Sequence, residues 1–155
     1  MRNEEREVRN GEDFIEIRIL GAVRKLLTVR VNEILGDLEF PIPAIELGEY
    51  TGATAISPAI TLSTCERSEK ERVILLEAYS TTIAFSLSES PESELYCYAY
   101  AAAVCKALAE DPVLGGVVDR AVITGKKYQP PKKPNCGEGW EAVLSLRVTI
   151  EGMKE

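Results

Sequence analysis

The clearest pattern in the chain lies near its end. Trp140, Ala142, Leu144, Leu146, Val148 and Ile150 alternate with Glu141, Ser145, Arg147, Thr149 and Glu151, and only Val143 interrupts. A period of two is that of a strand with one buried face. A second alternation, over 72–88, groups Val73, Leu75, Tyr79, Ile83, Phe85 and Leu87, with Thr81 among them. Ser80, Thr82, Ser86 and Ser88 take the other face. Shorter strands are predicted over 56–64 and 118–128. The charged stretch Glu66-Arg67-Ser68-Glu69-Lys70-Glu71 between the first two strands reads as a hairpin tip.

Helical spacing governs two other stretches. From Asp13 to Leu38, residues Ile15, Ile19, Ala22, Val23, Leu26, Arg30 and Ile34 recur three and four apart. Asp13 stands in the cap position, and Gly36, Pro41 and Pro43 signal the end. A second helix is predicted from Ser90 as cap, with Pro91 at its first position and Glu92 and Glu94 in its first turn. Leu95, Tyr98, Ala102, Cys105 and Ala109 would form its apolar face, and Asp111-Pro112 stops it. Residues 39–55 and Gln129 to Gly139 read as irregular. The order α-β-β-α-β-β predicts an α+β fold, a four-stranded, mainly antiparallel sheet with two helices packed on one face. It would occupy 13–152 as a single domain, behind a charged, flexible arm over 1–12.

A length of 155 residues supports one core burying about 70% of the unfolded surface. The chain has no histidine, which removes Ser-His-Asp and Cys-His catalysis and His-metal sites together. A net charge of −7 argues against a protein that coats nucleic acid. Cys65, Cys97, Cys105 and Cys136 match no zinc framework and read as small apolar fillers in a reducing compartment. Met1 to Asp13 is too charged for a secretory signal, and Pro58 interrupts the longest uncharged run, Tyr50 to Cys65. The expectation is a cytoplasmic protein with no membrane partner.

Tests for chemistry return little. Thr124-Gly125-Lys126 is followed by Lys127 and preceded by Arg120 where a phosphate loop needs its first glycine. Gly137-Glu138-Gly139 precedes a strand, whereas a dinucleotide fingerprint opens a helix. Carboxylates are abundant but their spacing demands no metal and no acid/base pair. No catalytic, cofactor-binding or metal residue is therefore nominated, and no cofactor is expected. The candidates are partner contacts: Glu66, Arg67, Glu69 and Lys70 at the charged tip, and Lys126, Lys127, Lys132 and Lys133 as a basic cluster in an acidic chain. The lysines read either as a solvated hairpin end or as a patch for an acidic surface.

One resemblance is more specific. It runs from Arg72 to Gly152: a β-rich stretch, an Ala-rich helix, then Ala109-Glu110-Asp111-Pro112-Val113-Leu114-Gly115-Gly116-Val117-Val118-Asp119. Ile123-Thr124-Gly125, Tyr128, Pro130-Pro131, Gly139-Trp140-Glu141-Ala142-Val143-Leu144 and Glu151-Gly152 follow. This segment, about half the chain, resembles the tail-terminator or tail-completion (neck) proteins of long-tailed bacteriophages and prophages. Residues 39–71 have no counterpart in the resemblance. It implies a non-enzymatic virion-assembly protein, present in the bacterial cytoplasm during assembly and then in the virion tail or neck. Such a protein forms a homo-oligomeric ring, a hexamer by this likeness, that caps the tail tube and stops its polymerisation. Its implied partners are itself, the major tail tube protein and head-tail connector proteins, with DNA passing through without specific binding. Three other readings remain: a head-completion, connector or minor tail component; a small metal- or carboxylate-dependent enzyme; and an adaptor unconnected with phage.

Overall fold

The computed structural model describes residues 14–47, 55–71, 73–133 and 135–151. The expected arm over 1–12 and the Asp13 cap lie outside the described residues. The element order is α1 (Ile15–Leu26), a π-helical turn (Leu27–Val31), α2 (Asn32–Gly36), β1 (Ala44–Ile45), β2 (Ala55–Ile56), β3 (Ala59–Lys70) and β4 (Val73–Ser88). Then follow α3 (Ser93–Glu110), a 3-10 turn (Leu114–Gly116), β5 (Arg120–Gln129) and β6 (Glu138–Glu151). Strands β3-β4-β6-β5 form one antiparallel sheet, with the long β4 and β6 at its centre. The fold is mixed α+β in the expected order. It adds a two-residue parallel pairing of β1 with β2, at the boundary between the stretch read as irregular, of which 48–54 lie outside the described residues, and the strand expected from residue 56.

The alternations place the core. Tyr79, Ile83 and Phe85 of β4 and Ala142, Leu144, Leu146 and Val148 of β6 are buried beneath the helices. Helix α3 packs on β6, β5 and β4, and α1 packs on β3. Tyr100 of α3 stacks on Phe85 with ring centroids 4.8 Å apart, and its hydroxyl donates to Pro43 O at 2.6 Å. Asn32 ties the small sheet to the helices: its Oδ1 accepts from Ile45 N at 2.8 Å and its Nδ2 donates to Ile45 O at 2.9 Å. Leu75, expected on the inner face of β4, is exposed where that strand runs beyond the helices.

Thr81 holds an inner position on β4, 1% exposed, and its hydroxyl has no hydrogen-bond partner among the described residues. Water would satisfy that hydroxyl in the unfolded chain, so folding strands it. Thr81→Val keeps the shape and removes the polar atom; it is expected to stabilise by about 1 kcal/mol, read from urea unfolding midpoints at constant m.

Four expectations are corrected. The first helix is not one regular α-helix, because the π turn re-phases its apolar face. Val31, Ile34 and Leu35 go inward, while Arg30, expected among the apolar positions, reaches Glu110 at the end of α3. Thr28 Oγ1 donates to Arg24 O at 3.0 Å and Asn32 Nδ2 donates to Thr28 O at 3.1 Å along the widened turn. Helix α3 starts at Ser93 rather than after Ser90, with Pro91 and Glu92 in a preceding turn and no side-chain cap. Its buried face is Cys97, Tyr100, Ala101, Val104, Ala107 and Leu108; Leu95, Tyr98, Ala102 and Ala109 are exposed instead. A helix apolar on every side offers periodicity no stripe to detect. The fourth correction concerns the charged tip. Strand β3 continues through Lys70, with Glu66 opposite Ala78, Arg67 opposite Glu77, Glu69 opposite Ile74 and Lys70 opposite Val73.

Candidate functional site

Six of the eight nominated contact residues fall on the two outer strands, and the other two in the loop that follows one of them. Glu66, Arg67, Glu69 and Lys70 are exposed on the edge strand β3. Lys126 and Lys127 belong to β5, the opposite edge, paired with Leu144 and Val143 of β6. Lys132 and Lys133 follow in the exposed loop between β5 and β6. Three strand spacings separate the two edges, about 14 Å, so the sheet does not bring the groups together.

Arg67 is engaged locally. Its Nε lies 2.9 Å from Glu77 Oε2, and Tyr79 Oη donates to Glu77 Oε1 at 3.3 Å. Glu77 is only 7% exposed, so the guanidinium and phenol supply the polar partners that a buried carboxylate requires. Burial, and then Cys65 beside it, raise the Tyr79 pKa and keep that phenol protonated. The group sits on a strand as a packed ion pair, with its phenol sealed from solvent. On the β5 side, Gln129 bridges Lys127 and Glu141. Its amide nitrogen donates to Glu141 Oε1 at 2.9 Å and its oxygen accepts from Lys127 Nζ at 3.1 Å in the orientation that satisfies both.

Among the described residues no group of three or more cysteine, aspartate or glutamate side chains could hold a metal ion. The Glu110-Asp111 pair is absorbed by structure: Arg30 contacts Glu110 through two hydrogen bonds of 2.6 and 3.0 Å, and Asp111 Oδ2 accepts from Gly115 N at 2.8 Å. The hydrogen bond and charge of Arg30 lower the Glu110 pKa. A carboxylate at a helix C-terminus opposes the dipole, and Arg30 offsets that repulsion. All four cysteines are free, but only two fill the interior: Cys97 is buried and Cys105 half-buried, whereas Cys65 and Cys136 are exposed. Burial pushes the Cys97 thiol up to about 11, so it stays protonated at neutral pH. Alkylation at pH 8 is expected to modify Cys65 and Cys136 in the folded protein and Cys97 only after denaturation, a difference that peptide mass spectrometry resolves.

The structure does present two surfaces that the sequence reading missed. One is a groove of about 470 Å³ between α1 and the turn that follows α3. Ala22, Leu26, Val29, Leu114 and Val117 give it an apolar lining, and Arg18 and Lys25 stand on its rim. Neither cation has an ion-pair partner among the described residues. The other is the outer face of α3 near its start. Leu95 is 48% and Tyr98 42% exposed there, beside Glu92 and Glu94. Tyr98 Oη donates to Glu94 Oε2 at 2.7 Å, and its ring meets Tyr128 of β5 edge-on with centroids 4.9 Å apart. In sequence, the signal for the first surface was the pair Arg18 and Lys25, seven apart and so on one face of α1. For the second it was Leu95 and Tyr98 immediately after acidic residues.

No helix among the described residues is long and apolar enough to cross a membrane. No known family model matches the chain, and no curated protein matches it.

Proposed function

We propose that this protein is a virion-assembly component of the tail-terminator kind. It closes into a ring on the head-proximal end of a long phage tail, stops the addition of tube subunits and offers a joining surface to head-tail connector proteins. The observation that carries this reading is the one-sided sheet: helices cover one face, while the other face and the outer edges of β3 and β5 stay open among the described residues. A protein that works by contact needs such surfaces on more than one flank, because ring closure requires two different patches per subunit.

The residues behind the resemblance fit that role. Pro112 stands two residues beyond the end of α3, and its carbonyl accepts from Ala121 N at 2.7 Å. Leu114, Gly115 and Gly116 all adopt positive φ in the reversal that leads to β5. Trp140 starts the inner face of β6, half-buried. Each of these shapes the backbone, and none is placed for bond-making. In an acidic ring DNA slides without the counterion-release affinity that a basic lumen would create.

The test is assembly. Light scattering over a range of concentrations is expected to show a closed oligomer, alone or when tail-tube protein encoded in the same genome is added. Electron microscopy should then show tubes that stop growing once this protein is present. A monomer under both conditions, with tubes growing unchecked, overturns the proposal.

A further inference from the structure

We infer that the exposed start of α3 on one copy docks into the groove between α1 and the turn after α3 on the next copy. The inference rests on the assembly reading above and names the contact through which copies join.

The two surfaces are complementary in both polarity and charge. The groove offers an apolar floor, with Arg18 and Lys25 on its rim. The ridge offers Leu95 and Tyr98, with Glu92 and Glu94 beside them. The stretch Ile15–Gly36 holds four cations and two carboxylates, in a chain whose net charge is −7. Asp111 also lines the groove, but five carboxylates lie at the other end: Glu89, Glu92 and Glu94 precede or open α3, and Glu138 and Glu141 of β6 pair with the neighbouring end of β4. A basic groove on an acidic protein attracts a second copy of that protein more than it attracts solvent.

Placement makes the contact intermolecular. Asp111, Leu114 and Gly115 border the groove just beyond the C-terminal end of α3, whereas Glu92 and Glu94 lie at its N-terminal end. Eighteen residues of helix separate them, about 27 Å at 1.5 Å per residue. Ridge and groove therefore cannot meet within one molecule. Joining them from copy to copy is a head-to-tail interface, the kind that closes into a ring when its rotation permits. A standard-size interface buries about 800 Å² on each partner, so Leu95 and Tyr98 in the groove would be its centre, with flanking strands as rim. Lys126 lies on the same face of β5 as Tyr128, whose ring meets Tyr98 of the ridge, and so serves as the alternative contact in the test.

A charge swap tests this on the whole chain. Variant one carries Arg18→Glu and Lys25→Glu; variant two carries Glu92→Lys and Glu94→Lys. Each alone opposes like charges at every contact and is expected to weaken assembly by about a hundredfold or more. Mixed in equal amounts, each variant's ridge matches the other's groove, and alternating oligomers of wild-type size should return in light scattering. That recovery cannot come from misfolded chains. Leu95→Ala should weaken assembly without any change of charge. Wild-type oligomers that survive both double variants overturn this inference and leave the assembly reading intact. Loss of assembly by Lys126→Glu while the double variants still assemble moves the contact to the lysine strand, and also overturns it. A wild type that stays monomeric with and without tail-tube protein removes both.

Discussion

Replacing Tyr100 by alanine is expected to cost about 4 kcal/mol of unfolding free energy, a loss large enough to threaten the fold. Tyr100 is fully buried, and its ring lies within 5° of parallel to Phe85 at a centroid separation of 4.8 Å. Truncation empties the largest volume on the inner face of α3. The surrounding alanines, Ala101, Ala103 and Ala107, are too short to fill it. The hydroxyl adds a separate role, because it donates to Pro43 O at 2.6 Å and so fastens the segment between α2 and β1 to α3. Tyr100→Phe isolates that bond and should cost about 1 kcal/mol, since Pro43 O then loses its partner. For a chain of this size, 4 kcal/mol corresponds to a fall in Tm of about 12 °C. Scanning calorimetry of both variants separates packing from tethering. A Tyr100→Ala protein that melts within 2 °C of wild type, on the scale of about 3 °C per kcal/mol, would contradict this account of the core.

What could be read from the sequence depended on whether local pattern and tertiary environment agreed. Strand β6 was fully legible because one face meets α3 and the other lies open, so alternation in the sequence is alternation in burial. Strand β4 was legible for the same reason from Tyr79 onward. Strand β3 was not, because its distal half projects beyond the helices and is exposed on both faces. A strand with no buried face has no reason to alternate, and Glu66 to Lys70 looked like a turn. Helix α3 failed in the opposite way: its existence was plain and its orientation was not, since Leu95 and Tyr98 outweigh the alanines that face the core. Size then outvoted position. The groove was beyond any local pattern, because its walls come from α1 and from Asp111 to Val117, segments about 90 residues apart.

The other large effect is expected at Gly139, which the sequence places at the end of an irregular stretch. Its neighbour Gly137 does serve a turn, at φ +84°, but Gly139 lies within β6. There a Cβ would lie 2.4 Å from Ser88 O, 2.9 Å from Ser88 C and 2.9 Å from Ser93 Cβ. Two of those three atoms are backbone, so no side chain can swing away to make room. Gly139→Ala must separate the end of β4, or the start of α3, from β6, at a cost of about 3 kcal/mol. The Trp140 N to Ser93 Oγ hydrogen bond, 3.2 Å long, is the contact most directly in line to break. Gly125→Ala is the control, since its new Cβ would stop 4.0 Å from Ser145 Cβ, an ordinary van der Waals distance. The displaced element matters for assembly as well as stability. Ser93 is the first residue of α3, immediately between Glu92 and Glu94 of the proposed ridge. Gly139→Ala should therefore weaken assembly even at temperatures where the protein remains folded, while Gly125→Ala changes neither property. Light scattering well below Tm, set beside the melting curves, checks both halves, and equal behaviour of the two variants would show that close approach at Gly139 positions nothing.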